Sequence, residues 1–400
     1  MISVTEASSL INQHLWSPAE AMIPIADAFG RVLARDVLAD RDLPPYHRVA
    51  MDGIAIRQAD VLSGTTRFTV TGIAPAGEPA KSLEGDHTCM EVMTGAVLPF
   101  GADAVVKVED VEIIDGQATL KIKSIDPGMN IHSCGSDLKS GEILLRKGTL
   151  LSVAEIPMLA SVGISLVPVL AAPRTALITT GDELVEIAQT PLPHQIRRSN
   201  MIAVEAALKP FGAECSLHHF GDREYLNEPA VGKRKFNDIL HDADLIILSG
   251  GVSKGKFDWV PDALEAAGIR CVFHTVAQRP GKPLWFGTGN GKTVFALPGN
   301  PVSVFLCLHR YVLPWLRSSM GIRRRPLTAE LGMDFHSTVP LTHFVQVRID
   351  EADPRLVIPV PGGGSGDFVN LRQADGFLEL PPRAGLLEKG MVFPYLPFRG

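Results

Sequence analysis

Two hydrophobic rhythms share this chain. Between residues 171 and 322, apolar runs of strand length alternate with stretches of helical spacing. RTALITT, CSLHHFG, LIILSGG and TVFALPG are the strand runs. NMIAVEAALKPFG, EPAVGKRKFNDILHDA and VPDALEAAG lie between them, and a long helical stretch from about 301 to 318 follows. Buried strands alternating with helices at this spacing predict a parallel, doubly wound α/β sheet. From 66 to 124, short runs such as TRFTVTGI and ATLKIKSI alternate with Gly, Pro and Asp turns and predict a small mostly-β domain. After RRRP (323–326), FVQVRID, RLVIPV and FLELPP predict a terminal β-domain. Residues 3–36 carry helical spacing broken near Pro18, and DLPPYHR (42–48) reads as an extended connection. Residues 138–170 are mixed, with VAEIPMLASVG as a helix. The chain is therefore expected to be multidomain.

The totals narrow the function classes. Nearly half of the 400 residues are apolar and the net charge is −6, which favours neither a nucleic-acid nor an acidic-membrane partner. Any anion site must be a local concentration of donors. The start, MISVTEASSLINQ, lacks the basic and apolar regions of a signal peptide, and no apolar run reaches membrane length. Cys89, Cys134, Cys215, Cys271 and Cys307 are scattered and never spaced as CxxC, so they read as reduced thiols in a cytoplasmic protein.

In a doubly wound sheet, ligands bind outside the carboxyl ends of the strands. Three loops there are unusual: TTGDELV (179–185), SGGVSKGKFD (249–258) and LPGNPVS (297–303). They bring glycine-exposed amides, a helix start at Asn300-Pro301, and Lys254, Lys256 and Lys282, a set that suits a phosphate. Glycine turns after strands are often only turns, but three in register, two with cations, favour a site. Gly250 to Lys256 satisfies GxxxxGK, yet the eighth position is Phe257, which cannot hold Mg²⁺, so an NTP-hydrolysing P-loop is excluded. Asp182, Glu183 and Asp258 stand on the same loops. Carboxylates beside a polyanion suggest a bridging divalent cation, most simply Mg²⁺; the blander reading is that Asp182 or Asp258 caps a helix. Taken alone, Asp52-Gly53 in VAMDGIAI reads as a hairpin turn and His218-His219 as strand packing.

Together, AMDGIAI, MTGAVLPFGADAVV, NIHSCGSDLKSGE, ITTGDELV, QIRRSN, SGGVSKGKFDWV, RPGKPLWFG and LPGNPVS, in this order, closely resemble the MoeA family. These are the molybdopterin molybdenumtransferases, which include the gephyrin E domain. PGGGSGD (361–367) resembles the family's last domain. The resemblance implies an elongated homodimer whose subunits have four domains. Domain I (1–45 and 138–170) is discontinuous, domain II (46–137) mostly β, domain III (171–322) the α/β molybdopterin-binding layer and domain IV (323–400) a β-barrel. It implies transfer of molybdate to adenylylated molybdopterin with release of AMP, dependence on Mg²⁺, and a molybdopterin adenylyltransferase as a partner.

By motif match, Glu183 and Asp258 carry over as catalytic, metal-holding acids. Asp52, Thr94 and Asp137 come from the other subunit. Ser249, Gly250, Gly251, Ser253, Lys282 and Pro298 line the pterin pocket, with Arg348 and Ser365 closing it. Asp222 aligns loosely with another acidic position.

The sequence departs from the family pattern at several places. Tyr46, Val49 and Ile54 replace the usual residues around MDG, and Arg279 replaces a lysine. More consequentially, Ser136 replaces an acid in GED and Arg198 an acid in IRDSN. The departures leave open a tungstate-using homologue, or a paralogue that binds or hands over the cofactor. An adenylyltransferase would have no use for the MDG and MTGA segments.

Overall fold

The strand runs of the second half fold as their alternation requires. The computed structural model describes residues 1–252 and 259–399. The chain gathers into two units, residues 1–22, 30–34 and 168–400 in the first and residues 23–29 and 35–167 in the second.

In the first unit, six strands lie in the order Cys215–Phe220, Thr175–Thr180, Leu245–Ser249, Lys292–Leu297, Trp285–Gly289 and Arg270–His274. The first four run parallel. Successive strand side chains point to opposite faces, and both faces are apolar here. Leu177, Leu245, Ile247 and Phe295 enter one core with the helices Asn200–Leu208 and Leu313–Ser319. Ala176, Ile178, Ile246 and Val294 enter the other with Pro229–Asp242 and Val260–Ala266. The layer is doubly wound, as the pattern predicts. Two strands lie outside that pattern: Arg270–His274, and Trp285–Gly289, which is antiparallel to both its neighbours. The glycines of WFGTG interrupt the apolar run that marks a buried strand.

The helical spacing at the start yields one helix, Val4–Asn12, followed by the strand Glu20–Pro24 and a 3₁₀ turn. Ser3 caps the helix by accepting from Glu6 N–H at 3.1 Å. Val4, Ala7 and Ile11 are buried in the core that holds Trp315. Residues 1–22 thus pack with the α/β layer, whereas the sequence reading groups them with 138–170.

The long helix beyond Asn300 carries a π turn, Leu308–Val312, between Pro301–Cys307 and Leu313–Ser319. Pro314 has no N–H to donate and its ring crowds the preceding turn, which the wider π turn accommodates.

Five strands, Leu327–Leu331, Thr342–Ile349, Leu356–Pro359, Gly376–Leu380 and Val392–Pro397, close into a barrel around Leu331, Val347, Leu378 and Leu387. Gln278–Arg279 adds to it as a short parallel strand beside Thr342–His343.

In the second unit, six strands lie in the order Ala104–Lys107, Gly53–Ile56, Thr88–Val92, Arg67–Ala74, Gln117–Leu120 and Val111–Ile114. The segments flanking this sheet meet each other: Val37–Leu38 pairs antiparallel with Ile143–Leu145. The mostly-β expectation for 66–124 is met.

His309, in the π turn, is pushed down to about 4 from 6.5, chiefly by burial. The unfolded chain then binds more protons than the folded one between these values. This contribution is complete above pH 6.5 and is lost as pH falls toward 4, amounting to about 3 kcal/mol at most. Urea unfolding at successive pH values should show a smaller acid loss of stability in His309→Gln than in the parent chain.

Candidate functional site

In the second unit, the strand Gly53–Ile56 lies between two others, so that Gly53 stands opposite both Val92 and Lys107. This register brings the residue before Gly53 against the turn after Val92. Asp52 Oδ1 accepts from Thr94 N–H at 2.6 Å and from Thr94 Oγ1–H at 2.7 Å. Those two bonds, the backbone one foremost, hold the Asp52 carboxyl below its ordinary range. Glycine is needed at 53, because a Cβ there would stand 1.9 Å from the Val106 carbonyl oxygen. The Asp52-Gly53 turn is not a hairpin: Arg48–Val49 pairs instead with Ile131–His132.

On that pairing sits a second acid. Arg48 Nη2 donates to His132 Nδ1 at 2.9 Å. A guanidinium only donates, so the imidazole proton lies on Nε2, which donates to Asp137 Oδ1 at 2.7 Å. Ser136 Oγ donates to the same oxygen at 3.3 Å. His132 is the main reason the Asp137 carboxyl lies below its usual range. Val49 N–H donates to the Ala96 carbonyl at 3.0 Å, which places the Thr94 turn on the other side of the same short strand. The structure thus joins Asp52 to Thr94 and, separately, Asp137 to His132 and Arg48, the last two of which sequence reasoning did not single out. The spacing of His132 and Asp137 within NIHSCGSD was the available signal.

In the first unit, Thr180, Ser249 and Leu297 end adjacent parallel strands, with Ser249 paired to both Thr179 and Leu297. Ser249 Oγ donates to the Pro298 carbonyl at 3.2 Å. Asn200 Nδ2 donates to Ser249 Oγ at 3.0 Å and to the Gly299 carbonyl at 2.8 Å, tying two of the strand-end loops together. Gly250, Gly251 and Pro298 line a small hollow there, of about 190 Å³.

Beside it, Lys282, Pro298 and Ser365 line a cavity of about 720 Å³ between the 278–283 loop, the start of the Pro301–Cys307 helix and the barrel. Asn300 begins that helix, but its side chain makes no cap; its Nδ2 donates to Ser365 Oγ at 2.7 Å. The lining holds two cations, Arg279 and Lys282, and no carboxylate among the described residues.

Uncharged polar groups supply much of the remaining wall. Asn370 Nδ2 donates to Gln346 Oε1 at 3.0 Å. The buried His343 Nδ1 has no partner among the described residues, and burial, then Arg279, pushes that imidazole below its ordinary value. Gln346, Asn370 and His343 also escaped the sequence reading, because no short motif marks them.

Other positions differ from expectation. Arg348 pairs with Ile358 at the far end of its strand, is exposed, and does not line the cavity; Gln346, two residues earlier, does. Glu183 is exposed, and its carbonyl accepts from Ile196 N–H at 2.8 Å. Asp182 is turned to Arg223, at 3.4 Å, and Asp222 accepts from Trp259 Nε1–H at 3.0 Å. Arg198 is ion-paired with Glu186, so the reversed charge at that position is locally neutralised. His218 donates to or accepts from Ser216 Oγ at 2.9 Å, within its strand. Ser253, Lys254, Lys256, Phe257 and Asp258 lie outside the described residues. Among the described residues, no three His, Cys, Asp or Glu side chains cluster as a metal site.

A carboxylate-free cationic cavity at the strand ends of a doubly wound layer, completed by a β-barrel, defines a class of protein that the comparisons identify. Residues 176–318 match the family model described as a probable molybdopterin binding domain. Residues 2–163 match the MoeA N-terminal region, domains I and II, and residues 328–398 the MoeA C-terminal region, domain IV. A Synechocystis protein named molybdopterin molybdenumtransferase is 38% identical over 402 residues, covering 99% of each chain. One of the same name from Staphylococcus epidermidis is 32% identical, covering 95% of this chain and 91% of its own. Two crystal structures of the molybdopterin biosynthesis MoeA protein from Pyrococcus horikoshii cover 100% of both chains. They are 30% and 27% identical, with TM-scores of 0.83 and 0.81. The chain belongs to the MoeA family.

Proposed function

We propose that this protein is a molybdopterin molybdenumtransferase, which joins molybdate to adenylylated molybdopterin, releases AMP and yields molybdenum cofactor. The observation that carries this reading is the cavity of about 720 Å³ with Arg279 and Lys282 in its wall and no described carboxylate. Such a wall suits phosphate oxygens, because no described carboxylate in it competes for those cations. The Asn370–Gln346 amide pair offers donors and acceptors to the edge of a heterocycle. The names of the relatives from Synechocystis and Staphylococcus epidermidis support the same assignment.

Glu183, with no cation partner among the described residues, would hold Mg²⁺ together with Asp258. Mg²⁺ is commonly bound by one or two carboxylates plus phosphate oxygens, and its role would be to neutralise charge on the phosphates. In a homodimer, a second copy would contribute Asp52, Thr94 and Asp137. Asp52, fixed by Thr94 and held as a carboxylate, would accept hydrogen bonds from donor groups of the bound substrate and so keep them in position beside the incoming oxyanion. A molybdopterin adenylyltransferase would supply the substrate, in the cytoplasm.

The test is AMP release and reconstitution of a cofactor-free molybdoenzyme, with purified protein, adenylylated molybdopterin, Mg²⁺ and molybdate. AMP appearing with active cofactor supports the transferase; a tungstate competition arm then separates the two oxyanions. Binding of substrate without AMP release favours the hand-over paralogue. The Arg198–Glu186 pair weakens one motive for that second reading, since the substituted arginine leaves no free charge there.

A further inference from the structure

A second cavity, of about 920 Å³, lies in the same unit between the helix carrying the π turn, the 322–327 segment and the last barrel strand. It shares no lining residue with the cavity described above. Its charge is one-sided. Arg310, Arg317, Arg324, Arg325 and Arg399 line it, against the single carboxylate of Glu379. In a chain of net charge −6 this is a marked local excess of cations.

The arginines divide by how far they are already satisfied. Arg310 Nε donates to Glu379 at 2.9 Å and its Nη1 to Ser8 Oγ at 2.9 Å. Arg399 donates to the carbonyls of Ala374 and Leu371. Arg317 lies over the Phe211 ring, 5.7 Å from its centroid, with no carboxylate beside it among the described residues. Arg324 and Arg325 are exposed and likewise have no carboxylate partner among the described residues. Burial, and after it repulsion from Arg324, disfavours the charge on Arg317. An anion between them would relieve that repulsion.

Much of the rest of the wall is apolar. Pro326, Pro397 and Phe398 line it. His309, also on the lining, stays uncharged at neutral pH. The helix supplies Arg310 and His309 from its π turn, a distortion frequent at functional sites. Guanidinium forks match phosphate oxygens in pairs, and the volume falls in the range of small-ligand sites, about 300–1,000 Å³.

We propose that this cavity is a second, separate binding site for a small organic phosphate whose ring packs on the proline and aromatic wall, of the nucleoside phosphate class. Arg317, Arg324 and Arg325 hold the phosphate, while the Arg310–Glu379 pair forms the fixed back wall. The site is independent of the transfer chemistry, and the proposal stands whether or not the reading of the first cavity does.

The test is isothermal titration of the full-length protein with AMP, with inorganic pyrophosphate and with adenosine, repeated on R324E/R325E and on Lys282→Ala. AMP should bind at least tenfold more tightly than adenosine. R324E/R325E should lower AMP affinity at least tenfold with an unchanged melting temperature, because both side chains are exposed. Lys282→Ala should retain this binding event. Pyrophosphate should compete with AMP, which separates phosphate recognition from ring recognition. Three results would each overturn the proposal: no AMP binding at millimolar concentration, equal binding of AMP and adenosine, or AMP binding abolished by Lys282→Ala and untouched by R324E/R325E. The last would assign all of the nucleotide binding to the first cavity.

Discussion

Asp52→Asn should lower the rate of AMP release about a hundredfold or more, equivalent to roughly 3 kcal/mol of activation free energy. The substitution removes the charge and little else. An asparagine keeps an oxygen at Oδ1, so the bonds from Thr94 N–H at 2.6 Å and Thr94 Oγ1–H at 2.7 Å can persist. The turn and the sheet register around Gly53 should therefore survive, and the thermal midpoint should stay close to that of the parent. Asp52→Ala is the contrast, since it also removes the turn's acceptor and should lower stability as well as rate. Rates and melting curves on both variants decide the matter. Parental turnover in Asp52→Asn would remove the Asp52 charge from the mechanism and leave the residue as a cap on the Thr94 turn.

Gly250→Ala should cost about 3 kcal/mol of stability and abolish productive substrate binding. Two independent strains add here. Gly250 has φ +96°, where a side chain is disfavoured. A Cβ would also lie 2.7 Å from Thr180 Oγ1 and 2.9 Å from the Thr180 carbonyl oxygen, and the carbonyl cannot move without shifting a central strand. The loop must then rise from the sheet, carrying Gly251 and the hollow against Pro298 with it. Denaturant unfolding and direct substrate titration should both report the change. An alanine variant of parental stability would mean that the loop is free to move and that the close approach has no structural role.

Much of this was legible in the sequence, for identifiable reasons. The parallel strands announced themselves because both their faces are buried, so LIILS and TVFAL read as uninterrupted apolar runs. Trp285–Gly289 did not, because its glycines break the run and its antiparallel direction follows from the sheet around it. The end of the first helix was hard to place for a related reason. Helical spacing extends past Asn12, but Pro18 and Pro24 and the packing of Val4, Ala7 and Ile11 against the α/β layer decide where it ends. Among site residues, those carried by glycine turns and cation motifs were visible. Arg48 and His132 were not, since their pairing depends on a strand register joining segments about 80 residues apart, and His343, Gln346 and Asn370 depend on barrel closure.

The short strand Gln278–Arg279 has a mechanical consequence. It leaves the α/β layer, joins the barrel edge beside Thr342–His343, and returns with Lys282 into the cavity wall. Ala277 O also accepts from Thr342 N–H at 3.1 Å. The two walls of the cavity are therefore stitched by main chain, and the barrel cannot swing away as a lid without unzipping that seam. A lid motion of the barrel would cost these ladder bonds, which favours a cavity of near-constant width.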